Sequence, residues 1–127
     1  MKYKGAVLVK MIERIGVKAT YSEAVISNGT VYLSGQVPWE TTGRDIKEQV
    51  SEVLALIDVR LGEAGSDKTR ILSMQIFLKS PENYPAMNEV FLKWIAEGCA
   101  PARNTICGVE FPTPGWGVEI VVVAATI

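Results

Sequence analysis

Apolar and polar positions along this chain alternate mostly with the period of a strand, and twice shift to the period of a helix. The runs Ala6–Ile12, Ala19–Ser27 and Thr30–Val37 read as strands. The last two flank Asn28-Gly29, a dipeptide that favours the type I′ turn of a tight hairpin. Gly35, inside the third run, signals a bulge or a close approach of backbone to another group, although a simple strand end before Pro38 also accounts for it. Asp45 followed by Glu48 matches a capping box with Asp in place of Ser or Thr. Beyond it Ile46, Val50, Val53, Leu54, Ile57 and Leu61 recur at helical spacing, so a helix extends to Ala64 with Gly65 as its terminator. Gly62 in its last turn fits either close packing or early fraying. Ile71–Lys79 is partly apolar on both faces, as in a central strand. Tyr84, Met87, Phe91, Trp94 and Ile95 form the buried stripe of a second helix, Asn83–Glu97, which Gly98 to Pro101 break. Two closing runs, Arg103–Glu110 and Val118–Thr126, are strand-like and apolar enough for burial. The order β-β-β-α-β-α-β-β predicts an α+β two-layer domain with a mixed sheet.

Composition narrows the chemistry. With 127 residues, 48% of them apolar, residues 1–127 are expected to form a single domain around one core. A net charge of −1 and a pI near 5.5 lack the electrostatic footprint of a nucleic-acid binder. Apolar runs are too short and interrupted to cross a bilayer, and charges break up the N-terminus where a signal peptide needs an apolar stretch. The expected location is the cytoplasm. The chain has no His, which removes Ser-His-Asp and Cys-His machinery and most transition-metal sites. Cys99 and Cys107 fit no zinc spacing and read as small buried filler. Any catalysis must rest on carboxylates, Arg, Tyr, hydroxyls, thiols and backbone groups.

Each closing run begins with an ionisable group. Arg103 opens the first, and its planar fork suits bidentate capture of a carboxylate or phosphate; the plainer alternative is a side chain that snorkels to solvent. Glu119 lies between Val118 and Ile120, and it either faces solvent at a strand start or loses water to burial. Desolvation would raise its pKa and suit it to proton transfer. The two runs are antiparallel, and each charge is near its own strand's start. That places them toward opposite ends of the sheet, separated by about 20 Å of strand rise. One chain cannot easily unite them, so a shared site requires two subunits.

Tyr21, the run Ser34-Gly35-Gln36-Val37-Pro38, Asn88, Pro101-Ala102-Arg103 and Val118-Glu119-Ile120 together resemble the RidA/YjgF family of reactive-intermediate (enamine/imine) deaminases. The similarity covers roughly Ala19 to the C-terminus. It implies a chorismate-mutase-like α+β fold, a six-stranded mixed sheet with two helices on one face and the final strand inserted into the sheet. It also implies a homotrimer with active sites between subunits. The implied activity is cofactor-free hydrolysis of 2-enamine and 2-imine acids such as 2-aminoacrylate to 2-keto acids and ammonia, that of a 2-iminobutanoate/2-iminopropanoate deaminase. By position, Arg103 would clamp the substrate carboxylate, and Glu119 would orient water and shuttle protons. Tyr21, Ser34, Asn88 and Thr105 would line the pocket, and Gly35 would let the backbone approach the ligand. No metal, nucleic acid or membrane partner is implied. Thr105 stands where many members carry Cys, and the interval from Arg103 to Glu119 is one residue longer than in the best-known members, with 111–117 the site of the insertion. From the residues themselves an Asn88 exposed on its helix is the simpler expectation.

Two other readings compete. A non-catalytic module of the same fold, binding small carboxylates such as 2-keto acids, needs Arg103 and does not need Glu119. A chorismate-processing enzyme follows from fold analogy alone and would want more than one cationic anchor. RNA cleavage, linked to some relatives, finds no support in an acidic chain without His.

Overall fold

In a computed structural model, which describes residues 11–127, Asn28-Gly29 makes the expected turn, with φ of 50° and 77°. It joins strands Ser22–Ser27 (β2) and Thr30–Leu33 (β3), paired antiparallel with Ser27 opposite Thr30. The strand before them is Glu13–Val17 (β1), paired antiparallel to β2. An earlier strand was expected at Ala6–Ile12; residues 6–10 lie outside the described residues, and Met11 and Ile12 are not in a strand. What places β1 is a second tight connection, closed by Lys18 N–H donating to Tyr21 O at 2.7 Å. That turn takes up Ala19 and Thr20, so β2 starts later than its apolar run. In β1 only Ile15 packs on the core, which leaves little periodic signal to read.

The first helix, Ile46–Glu63 (α1), follows its stripe, with Val50, Val53, Ile57 and Leu61 fully buried. The capping box does not form: Asp45 makes no side-chain cap bond, and Glu48 pairs with Arg44 Nε at 2.7 Å. A lost cap costs about 1 kcal/mol, whereas each fully buried aliphatic side chain contributes about 1.5–3 kcal/mol. Packing, rather than capping, fixes where α1 lies. Its end is as expected: Gly65 takes φ of 78°, and Ser66 N–H returns to Leu61 O at 2.8 Å. Open space surrounds Gly62, so close packing does not explain it.

Ile71–Leu78 (β4), the second helix Tyr84–Trp94 (α2) and Ala102–Cys107 (β5) form a parallel crossover, with β5 at the sheet edge. The helix stops short of Glu97 because Ile95 turns extended and packs against the core. The last strand, Val118–Ala125 (β6), inserts between β3 and β4, antiparallel to both, giving the order β1-β2-β3-β6-β4-β5. The six-stranded mixed sheet carries both helices on one face, the α+β two-layer arrangement expected. Met74, Ile76, Leu78, Ile120 and Val122 meet the helices in the core. No described element covers the opposite face, where Tyr32 is 49% exposed and Phe77, Val121 and Val123 are half-buried. The expectation that both closing runs are buried holds for β6 only. As an edge strand β5 is largely exposed, and so is Cys107, while Cys99 is half-buried. No described helix is long and apolar enough to cross a membrane.

Candidate functional site

The ladder between β3 and β6 is broken at one place. Pairing runs to Tyr32↔Val123 and resumes at Gln36↔Ile120, so one more residue lies on the β3 side. This is the bulge that Gly35 signalled. The close approach is also present: a Cβ on Gly35 would collide with the Glu119 carboxylate, meeting its Cδ at 2.8 Å. Only glycine lets that carboxyl lie against the backbone. Buried Gln36 holds the bulge, its Nε2 donating to Ser34 O at 3.0 Å, while Ser34 N–H donates to Glu23 O at 3.0 Å.

Glu119 is half-buried, and burial pushes its pKa above the ordinary carboxyl value. No ion pair among the described residues involves it. It borders a cleft of about 470 Å³ that also takes in Tyr21, Ser34 and Gly35. Trp39, Leu56, Pro112 and Trp116 supply the apolar part of its wall. Arg60 lies there too, but it faces Glu23 Oε1 at 3.5 Å and Glu63 Oε1 at 3.2 Å, which neutralise it.

Arg103 belongs to a second cluster. It is half-buried and does not trail into solvent: its guanidinium stacks 4.8 Å from the Phe91 ring centre, donates from Nη1 to Asn88 Oδ1 at 2.8 Å and from Nη2 to Tyr84 Oη at 3.0 Å. Its other N–H groups remain for a carboxylate. Asn88 is thus half-buried and engaged, contrary to the exposed helical Asn. Tyr84, expected in the buried stripe, is exposed and orients the guanidinium. Thr105 follows two residues along β5, aligned with Ile76 as Arg103 is with Met74.

The seven expected residues therefore fall into two groups. Tyr21, Ser34 and Gly35 gather round Glu119, and Asn88 and Thr105 accompany Arg103. The expected distance is corrected by the register. Arg103 aligns with Met74 and Glu119 with Phe77, only three residues along β4. That is about 10 Å of rise, with two strand spacings of about 5 Å each across the sheet. Strand β5 begins beside Ser73 and β6 beside Leu78, and each charge lies one residue inside its strand, which shortens the interval between them. Separation comes instead from the faces. Met74 is buried against the helices, and Phe77 points the other way, so Arg103 and Glu119 occupy opposite faces. The chain holds two separate clusters, one on each face of the sheet.

Residue reasoning missed Gln36, Gln49, Tyr84 and the two tryptophans. Gln49 had a readable signal, a polar residue three positions after Ile46 within the apolar stripe. It is buried, accepts from Gly117 N–H at 2.8 Å and donates to Arg44 O and Gly115 O, both at 2.9 Å. It thereby fixes the loop that carries Trp116 and leads into Glu119.

The sequence matches the family model described as Endoribonuclease L-PSP over residues 11–126. A RutC family protein of Haemophilus influenzae is 40% identical over 113 residues, 89% of this chain and 97% of that one. Among solved structures, a YjgF family member from Neisseria meningitidis superposes with a TM-score of 0.88 at 39% identity, covering 92% of this chain and 96% of that one. A protein of unknown function of the conserved Rid family from Yersinia pestis does so with a TM-score of 0.79 at 32% identity, covering 87% and 90%.

Proposed function

The chain belongs to the RidA/YjgF family, and from that premise we propose that it hydrolyses 2-enamine and 2-imine acids to 2-keto acids and ammonia. The site forms where the Glu119 cleft of one protomer meets the Arg103 edge of the next in a homotrimer. The observation that carries this reading is Glu119 itself, a half-buried carboxyl pressed against Gly35 with no cation paired to it among the described residues. A module that only bound carboxylates would gain nothing from a second carboxyl at the site, since like charges repel. Nor does a net charge of −1 without His favour the ribonuclease chemistry in the family description.

Arg103, pre-oriented by Asn88 and Tyr84, takes the substrate carboxylate through parallel hydrogen bonds. An enamine first moves a proton from nitrogen to its terminal carbon, becoming the imine. Glu119 accepts a proton from water as the water oxygen adds to the imine carbon, and passes it to the nitrogen. The hydroxyl proton of the resulting carbinolamine then passes through Glu119 to the nitrogen, the C–N bond breaks, ammonia leaves and the keto group forms. Water and imine balance keto acid and ammonia, with no redox change.

The test couples the protein to an amino-acid oxidase that generates imines and follows 2-keto acid release. The wild type should accelerate release, and Arg103→Ala should reduce kcat/KM by about 100-fold or more while remaining folded. Glu119→Ala should lose turnover yet still bind 2-ketobutyrate in a calorimeter. Equal rates for wild type and Arg103→Ala would refute the anchor, and retained turnover in Glu119→Ala would refute the proton shuttle.

A further inference from the structure

The cleft beside Glu119 is larger than a three-carbon acid requires. Its volume is about 470 Å³, within the roughly 300–1,000 Å³ typical of sites for much bigger ligands. About six heavy atoms, at the ~30 Å³ one water occupies in the liquid, would leave more than half of one protomer's cleft for other groups, the neighbour's Arg103 among them. The remaining space is walled by Trp39, Trp116, Leu56 and Pro112, with Tyr21 beside Glu119.

That wall is built in advance. Trp39 is 63% exposed, an unfavourable position for a large ring, yet it is held edge-on to buried Trp116 with ring centres 5.2 Å apart. Trp116 is pinned by Nε1–H donating to Thr42 Oγ1 at 3.1 Å. The loop carrying Trp39 is tied to α1 through Glu52, which accepts from Glu40 N–H, Thr41 N–H and Thr41 Oγ1. Burial pushes the Glu52 pKa up, but these hydrogen bonds outweigh it and hold the carboxyl below its ordinary value. An exposed ring on this cleft, held by Trp116 and by a loop tied to α1, can take an apolar group at little further ordering cost. Charge points the same way. Arg60, the cationic side chain among the described residues of the lining, is already matched by Glu23 and Glu63, so the wall opposite in character to Glu119 offers apolar surface and not a free cation for a second acid group.

We propose that Trp39 and Trp116 are specificity-determining residues and that the preferred substrates are imino acids with side chains of aromatic size. This rests on the imine-hydrolase reading above. The experiment compares imines generated by a broad-specificity amino-acid oxidase from phenylalanine and from alanine, with wild type and Trp39→Ala. The phenylalanine imine should have the higher kcat/KM, about ten-fold, and Trp39→Ala should lower that ratio by a similar factor. A ratio at or below one, or one unchanged in Trp39→Ala, overturns the proposal. If neither imine is accelerated, the hydrolase reading fails, and calorimetric binding of phenylpyruvate against pyruvate decides the wall separately. Tighter phenylpyruvate binding that weakens in Trp39→Ala supports it, and equal binding overturns it.

Discussion

Burial raises the pKa of Glu119 because its charged form gives up hydration beside Gly35 and gains no paired cation among the described residues. The folded state therefore holds this proton more tightly than the unfolded one. No penalty exists below the ordinary carboxyl value of 4.5; stability falls as pH rises from there through the raised folded pKa. Glu52 acts in the opposite sense, since its lowered pKa contributes stability that is lost on acidification. Glu119→Gln removes the first effect and keeps the shape. It should raise the melting temperature at pH 8 and leave it nearly unchanged at pH 4. A neighbour's guanidinium, in the proposed trimer, would oppose the rise, so the contrast should be sharper in an Arg103→Ala background. Thermal melts at the two pH values check this, and a gap independent of pH would show that Glu119 is not desolvated. Gly35 announced this arrangement in the sequence, because a glycine within a strand asks what comes close to it. The carboxyl that does so is 84 residues further on, and only the pairing of β3 with β6 brings it there.

Between elements the decisive contact is Gln49, whose one side chain joins α1 to the loop before β6. Gln49→Leu would keep the helix and its stripe but leave Gly117 N–H and the Arg44 and Gly115 carbonyls without this partner. At about 1–3 kcal/mol for a buried unsatisfied group, the variant should lose about 2–4 kcal/mol of stability. Chemical denaturation measures that loss, and a change under about 0.5 kcal/mol, typical of a surface substitution, would mean that water or rotated backbone replaces the side chain. The elements themselves were legible wherever periodicity was strong: the stripe of α1, the Asn28-Gly29 hairpin and the apolar run of β6. Less legible were β1, which offers the core one side chain, and β5, whose apolar residues lie on an exposed edge. Periodicity tells which residues share a face and is silent about which strand lies alongside. The insertion of β6 between β3 and β4 came from family resemblance, and the offset of β5 along β4 came only from the register.

Across the whole molecule the two clusters face away from each other, and one face of the sheet has no described cover. An apolar face of this kind is a common mark of association, and a closed ring of identical copies would give every Glu119 cleft a neighbour's Arg103 edge. Complementation tests that geometry directly. Arg103→Ala and Glu119→Ala would each be inactive alone, because every site in either homotrimer lacks one group. Coexpressed in equal amounts and assembled at random, a site is intact only when its guanidinium comes from the Glu119→Ala copy and its carboxyl from the Arg103→Ala copy. Each condition holds half the time, so the mixture should recover about a quarter of wild-type activity through these heterologous contacts. Both groups supplied by one chain would give no recovery, since no copy in the mixture carries both. A mixture that stays at background although its native mass shows mixed trimers would therefore separate the assembly from the site: the ring would stand, and the pairing of Arg103 with Glu119 across it would not.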